Sequence, residues 1–457
     1  METETIVRTL PWQILTATIF VGAYAFIAAE KIHKTKVAIA GASLMMLLGI
    51  VPHHAAFTET ESTGVSWNTV FLLTGMMILV NIVKRTGIFQ WIAIRSAKLG
   101  RGNPFTICAI LSVVTAVLSA NLDNVTTVLL IAPVTFFIAE ALSISPVPFL
   151  ICEIIASNIG GTATLIGDPP NIMIGSAAKL GFMPFVTNLA PVIVVIMVVF
   201  VVTVRFVFRR EFVPSSEAAA QVMKLDESKA ITDFALLRRA GPVMLGTIVA
   251  FVFHGYLHLE PATVALSGAA LLLLITSVEP HEILAEVEWP TLFFFIGLFI
   301  MVTGMVRVGL IEMMANWLLG VTKGNIPAMT MLIVWFSAFA SAIIDNIPFV
   351  ATMNPLIIDV AKGLAAHGEI ARATFTQIVH APQVMPLWWA LSLGACLGGN
   401  GTIIGASANV VVAGIAEGNG YPLTFRSFLK YGMLFMVESV AIASVYLWFR
   451  FLVPLGH

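Results

Sequence analysis

Long apolar stretches, each close to the length of a membrane-spanning helix, recur along the chain. A helix that crosses a hydrocarbon core of ~30 Å needs about 20 apolar residues. Uninterrupted stretches of this kind predict eight spans, near 12–29, 36–52, 68–84, 186–208, 239–257, 262–279, 290–306 and 427–450. The longest hydrophilic interval, 209–238, divides these spans into two groups, and we interpret it as a linker.

Four further apolar stretches are interrupted by glycine, proline and polar residues. Backbone that leaves the helix inside a bilayer must be buried in protein or line a cavity, and paired broken segments are typical of transporter sites. The stretches 104–141 and 326–363 each hold two short apolar arms around a polar cluster, which predicts re-entrant hairpins with their tips at the midplane. The stretches 146–178 and 384–416 are predicted to be helices that unwind at the midplane.

The two halves of the chain repeat each other. With a shift of 222 residues, WNTVFLLTGMMILVNIVKRTG (67–87) aligns with WPTLFFFIGLFIMVTGMVRVG (289–309), and SANLDNVTTVLLIAP (119–133) aligns with SAIIDNIPFVATMNP (341–355). With a shift of 238, SNIGGTATLIGDPPN (157–171) aligns with ACLGGNGTIIGASAN (395–409). Shared polar residues in a constant register predict a duplication, with repeats at 1–208 and 239–457.

The predicted fold is therefore an all-α polytopic membrane protein of two repeats. Each repeat holds about five transmembrane helices and one re-entrant hairpin. Because five crossings is an odd number, the second repeat is predicted to be inverted relative to the first.

Charge is scarce and unevenly placed. Only 11% of residues are charged and 58% are hydrophobic, whereas about a quarter of a soluble domain is charged. This excludes a soluble enzyme, and the net charge of −1 offers no basic surface for nucleic acid. Of the 24 lysines and arginines, 17 lie in 29–36, 84–103, 205–239 and 426–430, all on one predicted side.

Positive charge marks the cytoplasmic side of a membrane. We therefore predict a multi-pass protein of the inner (plasma) membrane with both termini external. The acidic segment 279–288 would lie on the cytoplasmic side, against the general trend.

Two aspartates, Asp123 and Asp345, occupy equivalent positions in the two hairpins. An ionisable residue at bilayer depth is costly and points to function, although each could also cap the helix that follows it. We predict that opposed tips bring both carboxylates to one cavity, where they carry the coupling proton or ion. Asp168, Glu153 and Glu438 are secondary candidates for this role.

The polar clusters of the hairpins and unwound segments supply neutral hydrogen-bonding groups, and their glycines allow close approach of backbone to a ligand. The alternative is ordinary helix packing through small residues. The candidates for substrate binding are Asn121, Asn124, Thr126, Thr127, Asn158, Gly160, Gly161, Thr162, Thr164, Asn171, Asn346, Gly398, Gly399, Asn400, Thr402, Ser407 and Asn409.

The sequence predicts neither a metal site nor a cofactor. Cys108, Cys152 and Cys396 have no zinc-type spacing and are interpreted as packing residues. There is no Walker motif, so we expect a transporter and not an enzyme that hydrolyses ATP.

The strings LDNVTT and IGDPPN resemble those of the arsenite efflux permease (ArsB-type) and P-protein group of the ion transporter superfamily. This superfamily also holds NhaD-type sodium/proton antiporters and divalent anion/sodium symporters. The resemblance covers nearly the whole chain. It implies opposed hairpins, a fixed scaffold with a moving transport domain, and often a homodimer. The symporters carry Ser-Asn-Thr at both tips, whereas aspartates at the tips of this chain disfavour a dicarboxylate substrate.

These observations predict a secondary transporter in the lipid bilayer that exports arsenite or antimonite in exchange for protons, by elevator-type alternating access. Arsenous acid is neutral near pH 7 and would need hydroxyl and amide partners more than charge. One alternative is a sodium/proton antiporter that uses the same two aspartates. Another is a channel-like arsenite subunit that works with an ATPase partner.

Overall fold

The computed structural model describes residues 8–29, 31–213, 216–224, 226–366 and 373–455, and all regular secondary structure in these ranges is helical. The helices of the first repeat are α1 (Leu10–Ala28), α2 (Lys34–Leu47), α3 (His53–Phe57), α4 (Trp67–Lys84), α5 (Ile88–Leu99), α6 (Pro104–Ser119), α7 (Asn124–Leu142), α8 (Val147–Gly161), α9 (Pro169–Ala178) and α10 (Phe182–Val207). The linker contributes α11 (Ser216–Met223) and a 3₁₀ turn (Glu227–Ala230).

The second repeat follows the same order. Its helices are α12 (Phe234–Phe253), α13 (Pro261–Ile275), α14 (Pro280–Ala285), α15 (Trp289–Arg307), α16 (Leu310–Thr322), α17 (Ile326–Ile343), α18 (Asn346–Ala366), α19 (Phe375–Val379), α20 (Met385–Gly398), α21 (Ser407–Gly418), α22 (Phe425–Leu447) and α23 (Val453–Leu455), with a 3₁₀ turn at Ile403–Gly405 and a π-helical turn at Trp448–Leu452. Nine helices in the described ranges are long and apolar enough to cross a membrane. The prediction of an all-helical polytopic membrane protein is confirmed.

The two repeats pack against each other reciprocally. Helix α4 packs on α13, and its counterpart α15 packs on α2, which is the counterpart of α13. At these crossings Gly75 lies against the backbone of Ala265, and Gly297 lies against the backbone of Ala38. A Cβ atom on either glycine would come within 2.7 Å of a backbone carbon. Contacts exchanged in this way are typical of two-fold related units.

The hairpin arms are longer than the sequence predicted. Helix α7 has 19 residues, α17 has 18 and α18 has 21, so the expectation that the arms are too short to span is wrong for three of the four. The helices extend into the polar tips, since Asn124 and Asn346 are the first residues of α7 and α18. The hairpins are instead distinguished by where their tips lie.

The predicted unwound segments fall between α8 and α9 and between α20 and α21. Pro169 and Pro170 restart the helix in the first repeat, where proline needs no helical donor. The segments fold tightly: a Cβ atom on Gly161 would lie 2.5 Å from the carbonyl oxygen of Gly167. In the second repeat, a Cβ atom on Gly405 would lie 2.7 Å from the carbonyl oxygen of Gly399.

Ion pairs join connecting segments that the sequence predicts to lie on the same side of the membrane. Arg85 pairs with Glu282 at 2.7 Å and Glu286 at 2.6 Å, which places the acidic segment 279–288 beside the basic surface. Lys98 pairs with the linker residue Glu227 at 2.5 Å and lowers the pKa of that carboxyl. On the opposite side the pairs are Arg8 with Glu312 and Lys362 with Glu61.

The acidic segment is therefore held by a local cation. The predicted external positions of the termini involve 1–7 and 456–457, and Arg372 also lies outside the described residues. The orientation of the two sides relative to the cell stays a prediction.

Candidate functional site

Each hairpin tip is tied to the unwound segment of its own repeat by the same two hydrogen bonds. A serine hydroxyl bonds a helical carbonyl, and a threonine hydroxyl bonds the carbonyl at the tip. The bonds are Ser119 Oγ to Ser157 O (2.7 Å), Ser341 Oγ to Ala395 O (2.7 Å), Thr164 Oγ1 to Ala120 O (2.5 Å) and Thr402 Oγ1 to Ala342 O (2.5 Å). Each tip and its broken helix therefore form one unit, and we call the two units together the hairpin unit.

Asn171 and Asn409 support the unwound backbone. The Nδ2 of Asn171 donates to the carbonyls of Thr162 at 3.1 Å and Thr164 at 2.9 Å. The Nδ2 of Asn409 donates to Gly399 at 2.7 Å and Thr402 at 2.8 Å. Non-helical backbone at this depth is thus satisfied by side chains of the chain itself.

A row of asparagines joins the two repeats. Asn158 Nδ2 donates to Asn400 Oδ1 at 2.9 Å and to Asn409 Oδ1 at 3.0 Å, while Asn124 Nδ2 donates to Asn158 Oδ1 at 3.0 Å. These four side chains are buried. The Asn400 Nδ2 is buried and has no hydrogen-bond partner within the described residues. A buried unpaired donor of this kind is unusual and suggests a ligand or water that completes the site.

Asp168 lies where both hairpin tips converge. Its carboxylate accepts from Asn124 Nδ2 at 3.4 Å and from Asn346 Nδ2 at 3.3 Å, and the residue is fully buried. Asn124 and Asn346 are equivalent residues of the two tips. Asp168, a secondary candidate from the sequence, is thus the carboxylate that the two tips share. We call Asp168, Asn124, Asn158, Asn346, Asn400 and Asn409 the polar centre.

Asp123 and Asp345 directly precede Asn124 and Asn346, the two tip residues that bond Asp168. Asp123 caps α7, accepting from the Thr126 amide at 2.8 Å and the Thr126 hydroxyl at 2.5 Å. Asp345 also accepts from a backbone amide, that of Ile347 at 3.1 Å, and in addition from Lys34 Nζ at 2.8 Å and Ser407 Oγ at 2.8 Å. The two equivalent aspartates therefore have different partners.

Two cavities reach the tips from the basic side. One of about 440 Å³ is lined by Thr126 together with Lys84 and Glu288. The other, of about 340 Å³, is lined by Asp345, Ser407 and other residues of both repeats. The tips are thus approached from the side that carries most of the basic residues.

Other predicted residues serve the local structure. Asn121, Thr127 and Thr162 each donate to a carbonyl four residues earlier in their own segment. Gly160 and Gly398 allow the broken helices to pack on the hairpin arms, because a Cβ atom on either would overlap a backbone carbonyl of the facing arm.

Glu153 and Glu438 lie on other contacts. Thr135 Oγ1 donates to buried Glu153, and Thr203 Oγ1 donates to Glu438 at 2.5 Å. Within the described part of the chain, neither glutamate is bonded to the polar centre.

Sequence reasoning missed three side chains that bear on the site. Ser392 Oγ donates to Asn171 Oδ1 at 2.6 Å, and the Tyr24 hydroxyl donates to the carbonyl of Pro348 near the second tip at 2.7 Å. Lys34 was counted only among the basic residues of one side. Its position two residues before an apolar stretch was the only available signal.

Comparisons with known proteins agree on the class of protein. The family model for CitMHS, described as citrate transporter, matches residues 24–394. An uncharacterized transporter of Mycobacterium tuberculosis is 43% identical over 442 residues, which cover 97% of this chain and 99% of that protein. The P protein of Homo sapiens is 32% identical over 518 residues, covering 95% of this chain and 60% of the P protein. The predicted resemblance to the P-protein group is confirmed.

A solved structure shares the fold. The YdaH transporter of Alcanivorax borkumensis superposes with a TM-score of 0.51 and 13% sequence identity, covering 97% of this chain and 99% of that one. At this identity the likeness concerns the fold alone.

Proposed function

The chain belongs to the CitMHS family of citrate transporters, and from this premise we propose that it is a proton-coupled secondary transporter working by alternating access. The observation that carries the proposal is the convergence of both hairpin tips on one buried carboxylate, Asp168. Ionisable groups at this depth mark substrate and ion pathways in membrane proteins. Binding at the interface of two repeats, among broken helices, is typical of secondary transporters.

Alternating access is supported by different access to the tips from the two sides. The cavities lined by Thr126 and Asp345 lie on the basic side. On the other side a cavity of about 370 Å³ reaches Leu165 and Ile172 but is not lined by Thr126 or Asp345, and the segment 59–66 lies against α9 and α18. There Ser66 bonds Ser176 of α9 at 2.8 Å, and Glu61 pairs with Lys362 of α18 at 3.4 Å. If the basic side is cytoplasmic, as we propose, this is an inward-facing state.

For the substrate we propose arsenite or antimonite in the neutral, hydroxyl-rich acid form. The groups around the tips are amides and hydroxyls with the carboxylates of Asp123 and Asp168 and the Lys34–Asp345 ion pair. A bare polyanion such as citrate would be repelled by those carboxylates unless cations accompanied it. A small neutral polyol-like acid needs no such compensation.

For the coupling ion we propose protons carried by Asp123 and Asp345, with Asp168 between them. Efflux against a gradient requires a coupled ion, because the chain has no ATP-hydrolysis motif. An ATPase partner would replace this coupling, and transport would then lose its dependence on the proton gradient. We further propose that the protein forms a homodimer in the inner membrane with both termini external.

A second candidate, sodium/proton antiport, is favoured by one specific observation. The buried Asp168 carboxylate and the side-chain oxygens of Asn158, Asn400 and Asn409 belong to one hydrogen-bonded cluster, and oxygen ligands of this kind suit a hard cation. In this case the cation itself would be the substrate.

Reconstitution into liposomes with an imposed pH gradient distinguishes these functions. Arsenite, sodium and citrate are offered in turn while the internal pH is recorded. We expect arsenite to collapse the gradient and sodium to leave it unchanged. Collapse by sodium alone would establish antiport and reject arsenite, and arsenite uptake without any pH change would indicate a channel-like subunit.

The matched variant is Asp168→Asn, which keeps the shape of the side chain and removes its charge. We expect loss of the substrate-evoked pH change with an unchanged elution volume in detergent. Asn188→Asp, on helix α10, adds a carboxylate outside the polar centre and is the control for a general effect of altered charge. Full coupling in Asp168→Asn would contradict a role for the shared carboxylate.

A further inference from the structure

The second hairpin tip has a cation of its own. Lys34 Nζ lies 2.8 Å from Asp345 Oδ2 and 2.6 Å from Ser407 Oγ, and Ser407 Oγ lies 2.8 Å from the same carboxylate oxygen. The Lys34 side chain is 27% exposed and that of Asp345 is 11% exposed. The three groups thus form a partly buried triangle of mutual contacts beside the cavity.

Lys34 reaches this triangle from a different part of the molecule. It is the first residue of α2, which packs on α15, and its ammonium lies 5.1 Å from the centre of the Phe294 ring of α15. Asp345 directly precedes α18, which follows the second tip, and Ser407 begins α21, which follows the unwound segment of the second repeat. The ion pair therefore joins the α2–α15 pair to the hairpin unit.

The first repeat lacks this arrangement. The register of the repeats places Asp123 opposite Asp345, Pro169 opposite Ser407 and Leu72 opposite Phe294. Helix α13 begins with Pro261 where α2 begins with Lys34. Only the aspartate is common to both repeats, so the ammonium, the hydroxyl and the aromatic ring all belong to one tip.

We propose that the Lys34 ammonium fills a cation position at the second hairpin tip, so that Asp345 takes no cation from solution in this state. A carboxylate with little exposure requires a partner, and an ammonium within hydrogen-bond distance supplies both charge and donors. The inference deepens the proposed function, on which it rests for its meaning in transport. Coupling through Asp345 would require Lys34 to withdraw when the hairpin unit moves.

Other groups facing Asp345 must be counted in any test that varies pH. His33, the residue before α2, lines the same cavity, and Asp168 accepts from Asn346, the residue that follows Asp345. Both are retained in every variant below, so differences between variants report on Lys34 and Asp345.

The test uses the thermal stability of the purified full chain in detergent and needs no substrate. The melting temperature is measured against sodium chloride concentration, with choline chloride holding ionic strength, and separately against pH. In Lys34→Met the uncompensated Asp345 is expected to bind a cation or proton from solution. A group that binds only to the folded state raises the melting temperature. We expect the rise in melting temperature on adding sodium chloride, or on lowering the pH, to be larger in Lys34→Met than in the wild type by about 2 °C or more.

Two further variants complete the test. Lys34→Met/Asp345→Asn should return to the wild-type response, because no carboxylate is left to compensate. Lys36→Met removes an exposed cation of the same helix and should respond as wild type. The proposal is overturned if Lys34→Met melts with the wild-type dependence on sodium and pH, or if the double variant keeps the gain. Neither outcome depends on whether any offered substrate is transported.

Discussion

Asp168 differs from Asp123 and Asp345 in being single. It accepts hydrogen bonds from Asn124 and Asn346, which the sequence repeat makes equivalent residues of the two tips. The position that the repeat aligns with Asp168 is Ala406, so one carboxylate serves both tips. At the residue scale, the site combines duplicated amides with one unduplicated carboxylate.

Asp123 combines a structural and a proposed functional role that substitution separates. Asparagine caps helices about as well as aspartate, whereas alanine costs about 1 kcal/mol at this position. We expect Asp123→Asn to keep the wild-type melting temperature and Asp123→Ala to lower it. Proton coupling in liposomes should be lost in both. Coupling that survives in Asp123→Asn and fails only in Asp123→Ala would reduce Asp123 to a helix cap.

At the element scale, the repeated turns before α5 and α16 have different surroundings. Gly87 and Gly309 precede these helices with φ of 78° and 80°, the left-handed region that favours glycine. A Cβ atom on Gly87 would lie 1.8 Å from the carbonyl oxygen of Ala230 in the linker. At Gly309 a Cβ atom would meet nothing within 4 Å in the described part of the chain. The linker thus packs on one of two otherwise equivalent turns.

This difference predicts unequal effects of the same substitution. Gly309→Ala should cost about 1 kcal/mol through backbone strain alone. Gly87→Ala has the same strain and must also displace the linker, whose Thr232 amide bonds the Thr86 carbonyl at 3.0 Å. We expect a larger loss of melting temperature for Gly87→Ala than for Gly309→Ala, and faster proteolysis within 226–232 for Gly87→Ala only. Equal behaviour of the two variants would show that the linker is not held at Gly87.

The elements that could be predicted from the sequence were those with long apolar runs or a repeated polar pattern. Helices α5 and α16 were missed, since basic residues such as Arg95 and Lys98 made 88–99 resemble a solvated loop. Their buried residues, Phe89 and Ala93 among them, nevertheless follow a helical period. The arms of the hairpins were judged too short, because polar tip residues that begin α7 and α18 were assigned to the turn.

At the scale of the whole molecule, duplication predicted which residues are equivalent but not which ones meet. Asn158 contacts Asn400 and Asn409 across 242 and 251 residues of sequence, and no local pattern encodes that contact. Lys34 reaches Asp345 across 311 residues, so it could be counted only as one basic residue among many. Matched positions favoured Asp123 and Asp345, while the unmatched Asp168 lies between the tips.

In the proposed mechanism, closure of one side depends on contacts of the segment 59–66 with α9 and α18. Ser66 and Ser176, whose hydroxyls are 2.8 Å apart, belong to the two parts that alternating access would separate. Thr60 and Thr63 have hydroxyls 2.6 Å apart but lie within the same segment. The two pairs therefore offer a cross-link between the parts and a control cross-link within one part.

The most direct test of alternating access is transport by the cross-linked protein. Two double-cysteine proteins, Ser66→Cys/Ser176→Cys and Thr60→Cys/Thr63→Cys, are made in a chain whose three native cysteines are replaced. Each protein is oxidised and reconstituted, and transport is assayed before and after reduction of the disulfide. The account predicts that the 66–176 disulfide abolishes substrate flux, that reduction restores it, and that the 60–63 disulfide has no effect. Full flux through the oxidised 66–176 protein would contradict it.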